Sequence, residues 1–331
     1  MSRTEISRGG DPPTVHPMAQ TAIIAGAPEA PPAVSAGAET VRGGGSPASV
    51  RADLRYFTSE LKITFFRTRN QLLLLVTAVF PLLIGIGLKF ASPGGGGGGG
   101  RGPTGATSGA AYFSQLAGNG VFLTFVALSL LLILVLPMVV GVIAGDSVAG
   151  EAGYGTLRYL LVVPAGRTRL LAVKYGAIVV WAVAATFIVS VIALVTGLAL
   201  FGAGPVTLLS GTTVPLADAL VHVLWVTLYV CAAMAALGAI GLAISTFTEH
   251  AIGAIAALLV LVVASEIVEN IPQFAPVAPY LPTQWWLSFD SLLRTPIDTT
   301  TLWHGLASFA VYAAIFLAIA WARFTSADVT S

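Results

Sequence analysis

The chain has 331 residues, 56% of them hydrophobic and 9% charged, with a mean hydropathy of +0.87. A water-facing domain carries roughly 25% charged residues, so much of this surface must face something other than water. A formal net charge of +1 provides neither a basic field for nucleic acid nor an acidic one for cationic partners. Cys231 is the single cysteine, which excludes an intrachain disulfide and a Cys-based metal cluster.

Residues 1–50 are rich in Ala, Pro, Gly and Ser, with one short apolar stretch around Ile23 and Ile24. That is too short for the core of a secretory signal, and the segment reads as a disordered tail that buries too little to offset chain entropy. Residues 52–69 follow with a different pattern. Leu54, Phe57, Leu61 and Phe65 recur at helical spacing, flanked by Arg55, Lys62 and Arg69 on one side and Asp53, Glu60 and Arg67 on the other. With that charge load the segment cannot span a bilayer; it is expected to lie in the interface, aromatics in the acyl boundary and basic residues near headgroups. Tyr56 and Ile63 are expected on the opposite face, available to a partner.

Spanning a bilayer takes about 20 mostly apolar helical residues, because every backbone polar group must be satisfied internally. Six runs meet or approach that length, at about 71–91, 119–144, 174–201, 217–245, 251–268 and 303–322. The expected fold is therefore all-α and polytopic, with six transmembrane helices. Pro81 and Pro137 fall inside the first two runs, where lipid-embedded helices tolerate a kink. Gly94 to Gly100 form an unbroken glycine run; the chain has no Gly-Lys pair, so this is a linker rather than a phosphate loop.

Lys and Arg are distributed unevenly. With the N-terminus inside, 13 of the 16 fall on the cytoplasmic side and only Lys89, Arg101 and Arg294 outside, which predicts cytoplasmic termini.

Between the second and third runs lies 145–173, too long for a turn. Tyr154, Leu157 and Leu161 share one helical face, Glu151 and Arg158 the next, and Pro164 with Gly166 then breaks the helix ahead of Arg167 and Arg169. An amphipathic helix, a break and a basic re-entry suit a lever docked on another protein. The string Glu151-x3-Gly155-Thr156-Leu157-Arg158-Tyr159-Leu160-Leu161, then Pro164-Ala165-Gly166-Arg167, resembles the cytoplasmic loop of the ABC type-2 transporter permeases. Over residues 51–331 the order of elements resembles that family too, although the usual terminal Arg-Asp pair is here Ala327-Asp328.

The resemblance implies the permease subunit of an ATP-driven exporter in the cell membrane. Glu151, Gly155, Thr156, Leu157, Arg158, Pro164, Arg167 and Arg169 would form its coupling element. It implies a separate cytoplasmic ABC ATPase that holds ATP and Mg²⁺, and a second permease, identical or related, to complete the pathway. The chain itself carries no phosphate loop: Lys62, Lys89 and Lys174 are its only lysines, and all lie outside Gly-rich segments. No catalytic residues, bound cofactor, metal or nucleic acid are expected on this chain. A secondary transporter or channel without an ATPase is the alternative.

The fifth run is interrupted early. Ala251 to Ser265 is apolar, about 22 Å of helix against a hydrocarbon core of roughly 30 Å, and Glu266 and Glu269 follow on one face. A broken or re-entrant helix is expected there, continued by Pro272, Pro276, Pro279 and Pro282, with the two glutamates at an outer gate. Trp285, Trp286, Tyr280 and Trp303 read as an interfacial aromatic belt, and His222 as a structural histidine.

Overall fold

The structure is a computed structural model that describes residues 47–91, 119–153, 167–204, 206–207, 212–294 and 296–326. Residues 1–46 of the expected tail 1–50, the glycine run, residues 154–166 and the C-terminal residues 327–331 lie outside the described residues, while residues 47–50 are helical rather than tail. The described chain is almost wholly helical. Its elements are α1 (Pro47–Phe66), α2 (Thr68–Ala91), α3 (Phe122–Ile133), α4 (Val135–Gly153), α5 (Arg167–Phe201), β1 (Val206–Thr207), β2 (Thr213–Val214), α6 (Leu216–Ser245), α7 (Ala251–Glu269) and α8 (Thr299–Ser326). The protein is an all-α, multi-pass membrane protein: α2, α5, α6, α7 and α8 are each long and apolar enough to cross a bilayer, and α3 with α4 form a bent pair that passes the same test together.

α6 is the hub. It packs against α4, α5 and α8, while α7 lies on α4 and α2 on α5. Burial follows that order, with 72% of the apolar stretch of α6 inside the bundle against 17% for α2 and α8. The outward faces of α2 and α8 stay apolar, with Leu72, Leu75, Leu83, Val311 and Ile315 all exposed, as a lipid-facing surface requires. The short hairpin β1–β2 pairs Val206 with Val214 and Thr207 with Thr213; the sequence carries no alternation long enough to announce it.

Several boundaries differ from expectation for identifiable reasons. The first helix ends at Phe66, not at residue 69. Asn70, 2% exposed, donates from Nδ2 to the Thr64 carbonyl at 2.7 Å, and its own N–H bonds the Arg67 carbonyl. One side chain thus satisfies a terminal carbonyl of α1 while opening α2, and Arg69 belongs to α2. The second expected span is two helices bent by 51°. Pro137 has no N–H to give the Ile133 carbonyl and its ring crowds that carbonyl, so the helix breaks at Leu134 (φ −140°, ψ −45°). Pro81, by contrast, sits within a continuous α2. The third span begins seven residues early, so Arg167 and Arg169 open α5 rather than precede it; its 35 residues extend roughly 52 Å.

α7 is continuous from Ala251 to Glu269, so the irregular stretch starts after it. Three 3₁₀ turns follow, Pro272–Phe274, Ala278–Tyr280 and Trp286–Leu293. This segment dips back into the bundle. Tyr229, midway along α6, donates to the Trp285 carbonyl at 2.7 Å, and Tyr312, midway along α8, donates to the Tyr280 carbonyl. Trp286 is 3% exposed and belongs to the core rather than to an interfacial belt, whereas Tyr280 and Trp303 are exposed.

Side-chain contacts place the helix ends. Arg67, Arg69, Asp146, Glu151, Lys174, Ser245 and Gly145 meet at one end, and Arg323 lies 5.8 Å over the Phe247 ring at that end too. At the other, Lys89 donates to the Leu200 carbonyl, and Gly120 meets Gly197 backbone to backbone so closely that a Cβ on either would collide. Gly202, at φ +84°, turns the chain out of α5 with a conformation glycine adopts without strain.

Candidate functional site: a charged cluster at one end of the bundle

Lys174, in the second turn of α5, is 5% exposed. A lysine buried this far must be paired and hydrogen-bonded. Its Nζ donates to Glu151 Oε1 of α4 at 2.7 Å and to the Ser147 carbonyl at 2.8 Å, and lies 3.6 Å from Glu60 Oε1 of α1. Three helices are thus joined through one ammonium group. Beside it, Asp146 accepts from Arg67 at 2.6 Å and Arg69 at 2.8 Å, binding the α1–α2 junction to α4. Among the described residues the two arrays bring three carboxylates (Glu60, Asp146, Glu151) together with three cations (Arg67, Arg69, Lys174).

α1 is held against α5 by more than charge. Phe65 packs on Trp181 with ring centroids 5.1 Å apart. Phe57 lies over Gly176, where a Cβ would come 2.9 Å from its ring. Phe57, Leu61 and Phe65 are half-buried and Leu54 is 58% exposed. The stripe that the sequence directs toward lipid therefore turns mainly to the protein, and Tyr56 faces inward with it. The Tyr56 hydroxyl is pushed up to about 12 by burial first and by Glu60 and Glu151 next. Ile63 and Phe66 occupy the outer face, 63% and 72% exposed.

Directly beneath Asp146, Ser245 of α6 is bonded to the α4 backbone: it donates its hydroxyl to the Gly145 carbonyl at 2.8 Å and accepts from the Ala149 N–H at 2.9 Å and the Val148 N–H at 3.2 Å. One side chain thus fastens α6 to the helix that carries Glu151. Gly145 and Gly141, a small-x3-small pair in the sequence, bring α7 against α4 at the same level: a Cβ on Gly145 would come 2.7 Å from Ile255, and one on Gly141 3.2 Å from Leu258.

Of the expected coupling residues, Glu151 lies in this cluster and Arg169 is half-buried in the first turn of α5. Arg167 starts α5. Gly155, Thr156, Leu157, Arg158 and Pro164 lie outside the described residues. Lys174 and Asp146 carry the cluster, yet in the sequence they read only as topology-setting charge and a loop acid. The available signal was a lysine at the very start of a long apolar run, at residue 174. Among the described residues no group of three His, Cys, Asp or Glu side chains is placed to hold a metal ion.

Farther along the bundle, Glu266 and Glu269 lie in the last turn of α7. Glu269 accepts from the Thr283 hydroxyl at 3.2 Å, fastening α7 to the returning 3₁₀ segment, and Trp285 stacks on His304 at 5.8 Å. His222 bonds the Asp218 carbonyl one turn back, a local structural role.

Residues 106–330 match the family model described as Protein of unknown function (DUF2705). The chain belongs to the DUF2705 family. The match takes in α3 through α8 and leaves α1 and α2 outside, so Asp146, Glu151 and Lys174 fall within the family region while Glu60, Arg67 and Arg69 do not. No curated protein matches the chain.

Proposed function

We propose that this DUF2705 protein is the membrane-spanning permease subunit of an ATP-driven exporter, of the kind the ABC type-2 permeases represent. It forms the translocation pathway as one half of a dimer and takes its drive from a separate cytoplasmic ABC ATPase. The observation that carries this reading is the Lys174 bridge. Glu151 stands in the last turn of α4, where the chain leaves for residues 154–166, and Lys174 ties it to α1 and α5. A force applied to the 154–166 connection would reach three helices at once through a buried charge.

The remaining features fit six crossings with both termini in the cytoplasm. The N-terminal part of α2 and the C-terminal part of α8 lie at the charged end, where the basic residues concentrate. There α1 would run along the interface, Ile63 and Phe66 toward lipid. The re-entrant 3₁₀ segment, pinned by Tyr229 and Tyr312, would close the outer side with Glu266 and Glu269 at its hinge. Two mid-depth carboxylates also support the second reading, an ion-coupled transporter without an ATPase.

Charge reversal separates the two. Arg158→Glu, tested in proteoliposomes with the ATPase subunit, is expected to cut ATP-driven transport by about tenfold or more with helical content unchanged. Full ATP-driven transport by that variant would remove the coupling assignment. Transport that persists without ATP and follows an imposed ion gradient would favour the second reading.

A further inference from the structure

At the elbow between α3 and α4 the bundle has a groove of about 560 Å³, lined by Ile133, Leu134, Val263, Glu266, Ile267 and Asn270, among others. The groove is open, with Leu134, Val263 and Ile267 exposed along its walls, and mostly apolar. The proline break creates it: the 51° bend carries α3 away from α7 just where Pro137 leaves the Ile133 carbonyl without its helical donor.

Its depth is fixed from two directions. The break lies about 18 Å from the far end of α3, twelve residues away. Glu266 is one turn from Glu269, which holds Thr283 of the segment seated against the middle of α6 and α8. The Glu266 carboxylate therefore faces an apolar groove at mid-bundle. Among the described residues neither Glu266 nor Glu269 is in an ion pair, although Glu60, Asp146 and Glu151 all are. A carboxylate at membrane depth without a protein cation is a place for a cation from outside.

We propose that this groove binds an amphipathic organic cation, its apolar body against Ile133, Leu134, Val263 and Ile267 and its positive charge beside Glu266. A lipid acyl chain would use the same walls and ignore the charge, so charge is what the experiment varies.

The probe is tetraphenylphosphonium, a permanent cation, with tetraphenylborate as an anion of the same size and shape. Binding is measured on the full chain in phosphatidylcholine nanodiscs without any ATPase, so failure to find an ATPase partner would not affect the result. Expected are saturable phosphonium binding, a loss of at least about tenfold in Glu266→Gln, a change under about threefold in Glu269→Gln, which does not line the groove, and no saturable borate binding. Ile267→Trp fills the groove from an exposed position without touching charge and is expected to abolish binding with the fold intact. Equal phosphonium affinity in wild type and Glu266→Gln, saturable borate binding, or undiminished binding in Ile267→Trp would each overturn the proposal.

Discussion

Lys174 shows how a single side chain can matter more than its position suggests. Removing the cation that bridges two partly buried carboxylates breaks both ion pairs at once, at a cost of about 3–5 kcal/mol. Lys174→Met is therefore expected to lower the unfolding free energy by about that much, read from denaturant titration in micelles. The triple change Glu60→Gln, Glu151→Gln, Lys174→Met should recover most of the loss, because a neutral cluster of similar volume carries no buried charge. Failure of the triple variant to recover would show that packing, not charge, holds α1. Tyr56 gives the cluster a pH dependence. Its hydroxyl makes no hydrogen bond among the described residues and its titration is raised from 10 to about 12. A raised acid contributes stability that is fully present below pH 10 and lost as pH climbs through about 12. Tyr56→Phe should flatten that alkaline loss without lowering stability at neutral pH.

At the far end, Asp298 caps α8, accepting from the Thr300 and Thr301 N–H groups at 3.1 and 3.3 Å and from the Thr301 hydroxyl at 2.5 Å. The hydroxyl bond foremost, then the Thr301 N–H, lowers its carboxyl below the ordinary value. The sign is opposite to that of Tyr56: its contribution is present above the usual carboxylate range of about 3.9 and fades as pH falls through the lowered value. Amide exchange at Thr300 and Thr301 should quicken in Asp298→Ala at neutral pH, and the difference from wild type should shrink as pH falls far enough to protonate the Asp298 carboxyl.

At the scale of elements, the apolar runs were legible because a bilayer imposes a length on them, and all six correspond to a helix or to the bent pair. What was not legible depends on contacts distant in sequence. No glycine or proline marks the α1–α2 break; Asn70 makes it by reaching back to Thr64. Glu151 and Lys174 meet across the 154–166 connection, and the Gly145 carbonyl is bonded by a serine 100 residues away. Pro137 was visible, but a proline alone does not distinguish a break from the continuous helix that Pro81 occupies. The stripe of α1 suits lipid and α5 equally in the sequence; Gly176, which makes room for Phe57, decides between them. Pro137→Ala restores the missing donor and is expected to reduce the α3–α4 bend, read as a longer spin-label distance between Phe122 and Val148. An unchanged distance would assign the bend to packing.

For the whole molecule, the distribution of charge is the organising fact: one end of the bundle holds a charged array that joins four helices, and about halfway along it Glu266 and Glu269 stand outside any ion pair among the described residues, beside the re-entrant segment. The central claim is that the first end receives a motor. Cys231 is the chain's only cysteine and is buried, so a Cys231→Ala background leaves a single introduced thiol unambiguous. Arg158→Cys in that background, treated with a short bifunctional cross-linker in native membranes, should join the chain to a subunit carrying a nucleotide-binding phosphate loop, with a yield that changes when ATP hydrolysis is arrested. A chain that cross-links to no ATPase, while transport continues after ATP is depleted, would contradict the claim.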